Sequence, residues 1–553
     1  YSFQAIGIGG YSKGQSNDNA QNQANLVFTQ SVSDGGHQYK AGADVRGLMP
    51  TYRYLPYSED VSFDGLNGSN GGLLTGTATT YVVSSNATER YPMYLNYAFY
   101  MQDSWKKTSR LTLTYGFRWD VNPAPFARSG PSLLGLDSSY NLSSSNPLYK
   151  TGWYNFAPRF GLAYQLRGTG NHLTLLRGGF GIFYDTGYGA SANAFNSAPY
   201  VNTVITTSPS FPISASLQTP PGLPPIEPYG QVFAADANLA SPRVYQYNAI
   251  LERWLGAGQV LSVGYVGTLG HRLLLQTSAP SFFTTAYDMA LVTTNGGSSD
   301  YNALQAQYRR TLSHGLQAQA AYTWSHSIDT SSSDVGGSGF ALFGGSKGDS
   351  NFDVRQNVTS TFSYQIPSPK QTALRWVLGN WAVDGVVSAR TGLPFDVTGL
   401  LTQDTGSTTT SSTSYFFAQV RPDFTGAPIW ISDPNAPGGR RLNPAAFAAP
   451  ASGTQGDLGR NVLRGFNAFQ ADLAFRRVFP IGDRFRLQAR LDAFNALNHP
   501  NFANPTQNAG ANLASPLFGV ATQMLYAGTG NGMNPSQTNG GPRSVQFSMR
   551  FQF

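Results

Sequence analysis

Catalytic chemistry most often begins with histidine, cysteine, serine or clustered carboxylates. This chain carries six histidines, His37, His172, His271, His314, His326 and His499. No HExxH pair occurs, no two histidines stand at metal-ligand spacing, and no His/Asp cluster is visible along the sequence. His314 and His499 fall in predicted turns, where a solvated side chain is the ordinary outcome. Cysteine is absent, which excludes disulfides, thiolate metal sites and cysteine nucleophiles. No GxSxG elbow is present, and the glycine-rich pieces lack the strand–loop–helix setting that phosphate binding needs. The expectation is a protein with no catalytic residue, no metal and no cofactor. A lipase- or protease-type barrel enzyme stays open, because paired carboxylates at a site are not visible from sequence.

The charges that do attract notice are Arg486, Arg490 and Asp492 in "FRLQARLDAF" and Arg550 in "SVQFSMRFQF". Each alternates with apolar residues, so on a β-strand all would leave one face. That alternation is the strongest regular signal in the chain. In the last segment Val545, Phe547, Met549, Phe551 and Phe553 share one face, and Ser544, Gln546, Ser548, Arg550 and Gln552 share the other. Leu111, Leu113, Tyr115, Phe117 and Trp119 line up in the same way, as do Leu316, Ala318, Ala320, Tyr322 and Trp324. These runs reach about ten residues, the length of a tilted strand crossing a bilayer and longer than the usual five or six of a soluble sandwich. Aromatics gather near strand ends, as in "YAFYMQDSW" and "GIFYD", which fits interfacial girdles.

About 14–16 strands of this kind can be read. They begin near Ser2, His37, Glu59, Tyr97, Leu111, Asn155, Leu173, Pro242, Gln259, Tyr301, Leu316, Val354, Trp381, Phe469, Phe485 and Arg543. Three connections are short: "KKTSR", "LSHG" (Leu312 to Gly315) and "PIGD" (Pro480 to Asp483). Long polar stretches lie between the hairpins, over residues 186–240, 330–350, 400–465 and 503–540. Short turns at one end and long loops at the other are the asymmetry of an outer-membrane barrel.

Composition agrees. Of 553 residues, 41% are hydrophobic and only 12% charged, with Tyr 30, Phe 35 and Gly 61; soluble domains carry about 25% charged residues. No run approaches the ~18 apolar residues of a spanning helix, so a membrane-spanning chain of this composition must cross as a closed barrel. The mean hydropathy of −0.25 is no objection, since alternation hides apolar strands from an average. The net charge of +7 is spread without a Lys/Arg block, so no nucleic-acid partner is expected. The fold class expected is all-β: a large antiparallel transmembrane β-barrel over residues 1–553, in the outer membrane of a Gram-negative-type bacterium, with lipid as its first partner.

Several segments, in order from about residue 37 to the end, resemble the barrel of TonB-dependent receptors, specifically the Oar-like group. They include "YAFYMQDSWKKTSRLTLTYGFRWD", "NFAPRFGLAY", "LRGGFGIFYD", "YNALQAQYRRTLSHGLQAQAAYTWSHSID", "GNWAVDGVVSARTGLPF" and "RLQARLDAFNALNHPNFANP". The resemblance implies a 22-stranded barrel, an N-terminal plug, often a carboxypeptidase-regulatory-like domain, and energisation through a TonB box. None of the latter three is found in this sequence, so the chain is expected to be N-terminally truncated. The implied function is transport of a scarce or bulky, unidentified ligand, in partnership with the TonB complex if a plug and TonB box lie upstream. A plug-less passive porin, or a structural or adhesive surface barrel, is the alternative. A soluble all-β sugar-binding protein is a third reading.

Within a barrel, Arg486, Arg490, Asp492 and Arg550 would face the lumen. There they would either attract an anionic ligand or hold a plug, or form salt bridges between neighbouring strands. The terminal strand Val545–Phe553, ending in an aromatic, resembles the signal read by the barrel assembly machinery.

Overall fold

In the protein's computed structural model the described residues are 1–553 other than 6–8, 14–17, 64–70, 138, 140, 187, 281–285, 334–346, 398–399, 405–415, 452–453, 483, 506–509, 514 and 526–540. One antiparallel meander dominates. Its strands are β1 (Asp18–Asp34), β2 (His37–Arg53), β3 (Pro92–Lys106), β4 (Leu111–Val121), β5 (Asn155–Arg167), β6 (Thr174–Tyr184), β7 (Arg243–Gly256), β8 (Gln259–Pro280), β9 (Tyr287–Ser313), β10 (Leu316–Asp329), β11 (Gln356–Gln365), β12 (Trp381–Arg390), β13 (Ala468–Ile481), β14 (Phe485–Phe494) and β15 (Ser544–Gln552). Each pairs with the next in sequence. Among the described residues, β1 pairs in register only with β2, and β15 only with β14. The resemblance implied 22 strands; the described meander has these fifteen.

The hairpins at one end are tight for a local reason. Type I′ turns need positive φ at both central residues, which matches the twist of the flanking strands. His314 (φ 52) and Gly315 (φ 79) provide it between β9 and β10. Gly35 (φ 53) and Gly36 (φ 90) provide it between β1 and β2. The expected short connections "KKTSR" and "LSHG" turn at Lys107–Arg110 and at His314–Gly315; Asp483 of the third lies outside the described residues.

Three expectations need correction. Strand β1 was not foreseen, because "DNAQNQANLVFTQSVSD" is too rich in Asn and Gln to alternate cleanly. The segments beginning near Ser2 and Glu59 are not part of the meander. Ser2–Ala5 and Tyr57–Phe63 pair in parallel within a separate five-stranded sheet that also takes Gly9–Ser12, Thr80–Asn86 and Val201–Thr207. Their apolar residues pack on one another, with Phe63, Tyr81 and Val83 buried, so alternation alone misplaced them. The long polar stretches, finally, are not plain loops. The described part of 186–240 holds the 3₁₀ turn Ala190–Asn196 and the strands Val201–Thr207 and Tyr229–Ala235. The described parts of 391–465 and 503–525 close over a shared core of Phe395, Val397, Leu442, Phe447, Leu463 and Phe518.

Strands β8 and β9 run for 22 and 27 residues. At about 3.3 Å per residue the longer spans roughly 90 Å, and its 27 residues are more than twice the ~9–11 that a bilayer crossing requires. Their far halves therefore stand clear of the membrane, where Tyr229–Ala235 adds to the edge of β9 in parallel.

One face of the meander is apolar and banded by aromatics. Near the short turns, His37 stacks on Tyr39 (5.4 Å) and on Trp105 (5.1 Å). Six residues up strand β3, Phe99, Trp119 and Phe156 form a cross-strand row at 5.9 and 6.1 Å. Six residues correspond to about 20 Å of strand, close to the ~25 Å apolar band between aromatic girdles. Between the rows Met101 and Phe117 are about half exposed, as side chains that meet lipid must be in the bare chain.

Candidate functional site

The opposite face is polar and concave. Six successive strands, β9 to β14, line one recess of about 550 Å³ on it. Its charges are cross-linked. Asp384 on β12 accepts from Arg476 Nε at 2.8 Å, from Arg490 Nη1 at 3.0 Å and from Ser363 Oγ at 2.7 Å. Arg490 Nε also donates to Asp492 at 2.8 Å. Register explains the convergence: Asp384 and Asp492 both oppose Ala474, and Arg476 opposes Arg490, so four strands direct these side chains to one side. A second cluster sits on the same kind of face at β2–β5, where Arg118 Nε donates to Asp120 at 2.7 Å and Arg118 lies 3.6 Å from Asp44.

Of the charges singled out from sequence, the structure therefore brings Arg490 and Asp492 into a network. Arg486 and Arg550 oppose Gln552 and Gln488 on that same face and form no ion pair among the described residues. Val545, Phe547, Met549 and Phe551 lie on the apolar face of β15, opposite Ala493, Leu491, Ala489 and Leu487. The strand ends at Gln552, so Phe553 stands one residue beyond it and is 96% exposed.

Toward the long-loop end a second recess of about 460 Å³ is lined by Tyr301, Ser325, Ser327, Phe352, Arg390 and Phe469, among others. Hydroxyls, a guanidinium and two phenyl rings converge there. Beside it, the segment after β12 is held down by two arginines, one of which reaches the lining residue Asp353. Arg460 donates to the backbone oxygen of Asp329 at 2.7 Å, to the Asp329 carboxylate and to Ser332 Oγ at 3.1 Å. Arg464 donates to both the Asp349 and Asp353 carboxylates. Asp353 is buried; it also forms an ion pair with Arg355 Nε at 3.0 Å and accepts from the backbone NH of Ser327 at 2.7 Å. Below this region Asp396 accepts from the Asn461 NH at 2.6 Å. Its enclosure raises its pKa above the usual 3.8, partly offset by Asn461, Arg421 and Arg460.

Sequence reading found no His/Asp cluster, and the structure corrects this. His326 Nδ1 lies 3.5 Å from Asp353 and Nε2 lies 3.7 Å from Asp349, and the ligand atoms of the three fall within 4.8 Å of one another. The residues meet because Gly348–Asp349 folds back on the end of β10, a contact across more than twenty residues that no local spacing encodes. Arg464 and Arg355 occupy the same carboxylates, so the donors are already charge-compensated.

A long antiparallel sheet with one lipid-type face, paired aromatic girdles and a charged concave face defines a membrane-spanning β-barrel wall. The sequence profile of the outer membrane beta barrel domain matches residues 1–546, and the chain belongs to that family. It is an outer-membrane protein. Among solved structures, it is similar to the outer membrane transporter YddB from Escherichia coli (TM-score 0.48, 10% identity, 97% of this chain and 54% of that one). It is similar also to the ferripyoverdine receptor of the Pseudomonas aeruginosa outer membrane (0.45, 12%, 97% and 48%). The siderophore receptor PiuA from Acinetobacter baumannii aligns at 0.46 and 10%, over 97% and 56%. The chain thus spans about half the length of these structures. No curated protein matches it.

Proposed function

We propose that this chain is the barrel of a TonB-dependent receptor of the Oar-like group, which carries a scarce or bulky ligand across the outer membrane. The observation that supports it best is a recess of about 460 Å³ at the loop end of the charged concave face, whose lining residue Asp353 is clasped by Arg464 of the folded segment after β12. Simple diffusion does not call for a fastened loop segment with its own hydrophobic core beside such a recess, whereas selective capture does. The ordered resemblance of "YAFYMQDSW…FRWD" through "RLQARLDAFNALNHP" supports the same reading and implies a plug and a TonB box, with the TonB complex as partner if these lie upstream of the barrel. Arg486 and Arg550, on the concave face, are positioned to meet such a plug or an anionic ligand, while Arg490 and Asp492 brace neighbouring strands. The terminal strand with Phe551 and Phe553 serves recognition by the assembly machinery.

Conductance across planar bilayers tests this. The product of the complete gene is expected to be electrically silent, and the chain from Tyr1 onward to open a large pore. A large, constantly open pore from the complete product would instead establish a passive porin.

A further inference from the structure

Strands β11 and β12 are joined at the short-turn end by residues 366–380, the longest described connection there, and it contains a helix, α1 (Thr372–Leu378). Its base is closed: Ile366 NH donates to Trp381 O at 2.9 Å, and Asn380 NH donates to Ser368 Oγ at 3.1 Å. The helix therefore stands in a fixed place rather than on a free loop. Leu374, Val377 and Leu378 follow the i, i+3, i+4 spacing and so share one stripe. They are 46, 56 and 52% exposed, an apolar stripe with no protein cover.

The side on which α1 lies is given by Trp381. Trp381 opposes Arg477, on the face that carries Val383, Phe475 and Leu473 and away from Asp384. Its indole Nε1 donates to the backbone oxygen of Val377 at 3.1 Å, which ties the end of α1 to the apolar side of the wall. Ile366, 40% exposed, continues that side from Tyr364. Arg477 lies over the Trp381 ring at 5.4 Å and the Phe479 ring at 4.4 Å, the arrangement of an arginine that covers aromatics at a membrane–water boundary. Lys370 and Arg375 flank the stripe, and residues 366–383 contain no acidic side chain.

We infer that α1 is an interfacial foot: it lies in the headgroup layer of the leaflet on the short-turn side, with Leu374, Val377 and Leu378 in the acyl boundary and Lys370 and Arg375 toward lipid phosphates. The stripe continues the lipid-facing wall, and a short helix with an apolar stripe and basic flanks is suited to that layer. Such a foot fixes the depth and tilt of β11 and β12, the strands that carry Ser363 and Asp384.

The absence of cysteine permits a direct test. Single nitroxide labels are placed on Val377→Cys and Leu378→Cys of the full chain, reconstituted in phosphatidylethanolamine/phosphatidylglycerol vesicles. Phe475→Cys serves as the lipid reference and Thr108→Cys, in an exposed turn, as the water reference. Collision rates with oxygen and with a water-soluble nickel chelate are then measured. The inference expects an oxygen-to-nickel ratio at 377 and 378 several-fold above that at 108 and below that at 475. A ratio equal to that at 108 would place the stripe in water and overturn it. Low access to both reagents would show a protein covering the stripe and overturn it equally. Heat-modifiable migration of each labelled chain, matching the parent, establishes that the sites report on the folded wall.

Discussion

Arg464 bridges the carboxylates of Asp349 and Asp353, and through them it fastens the segment after β12 to the end of β10. Asp353 is almost wholly buried, its side chain 1% exposed. Replacing Arg464 leaves that charge to Arg355 alone, with His326 nearby. A hydrogen bond to a charged group contributes about 1.5–3 kcal/mol, so Arg464→Ala should raise local opening of this segment about 10- to 100-fold. Limited proteolysis within residues 421–464 reads this directly. Unchanged cleavage rates would mean that the segment does not depend on the bridge.

Asp396 predicts a pH dependence in the same segment. Enclosure raises its folded pKa above 3.8, so the folded state holds the proton more tightly than the unfolded state. The stability associated with the protonated carboxyl is fully present below the ordinary value and is lost as pH rises through the raised one. Asp396→Asn should remove that loss, so that the two proteins agree in acid and the variant is the more stable at neutral pH. Urea midpoints followed by near-UV circular dichroism, measured from about pH 4 upward, provide the comparison.

Close packing within the wall gives a third prediction. A Cβ on Gly116 would lie 2.4 Å from the backbone oxygen of Met101 and 2.9 Å from Gln102 Cα, whereas one on Gly161 meets nothing nearer than 3.8 Å. Backbone cannot swing aside as a side chain can. Gly116→Ala should therefore cost about 1–3 kcal/mol, and Gly161→Ala far less. Urea unfolding of the two variants in detergent, read by heat-modifiable migration, separates them.

Phe553 separates assembly from stability. It is 96% exposed and outside β15, while Phe551 stacks on Phe485 at 5.5 Å. Phe553→Ala should lower the assembled fraction in cells while leaving the urea midpoint of the folded protein unchanged. Phe551→Ala should reduce both. Equal behaviour of the two variants would make Phe553 merely another lipid-facing aromatic.

What the amino-acid order alone determined is the wall. Period-two alternation is a local property, and a face buried in lipid forces it onto each strand separately. The alternation of "SVQFSMRFQF", "LTLTYGFRWD" and "FRLQARLDAF" therefore announced β15, β4 and β14, their faces and the side of Arg490 and Asp492. Strand β1 escaped because its Asn and Gln blur the pattern, and Ser2–Ala5 and Tyr57–Phe63 misled because a small sheet alternates as well. Tertiary structure alone decided the rest. The partners of Asp384, the meeting of His326 with Asp349 and Asp353, and the anchoring of Arg460 on Asp329 join residues 21 to 131 positions apart. Their distances depend on how strands are ordered and how loops fold back. Neither spacing nor composition carries that information, so the loop-end recess and the segment fastened beside it, the part closest to function, became visible only in three dimensions.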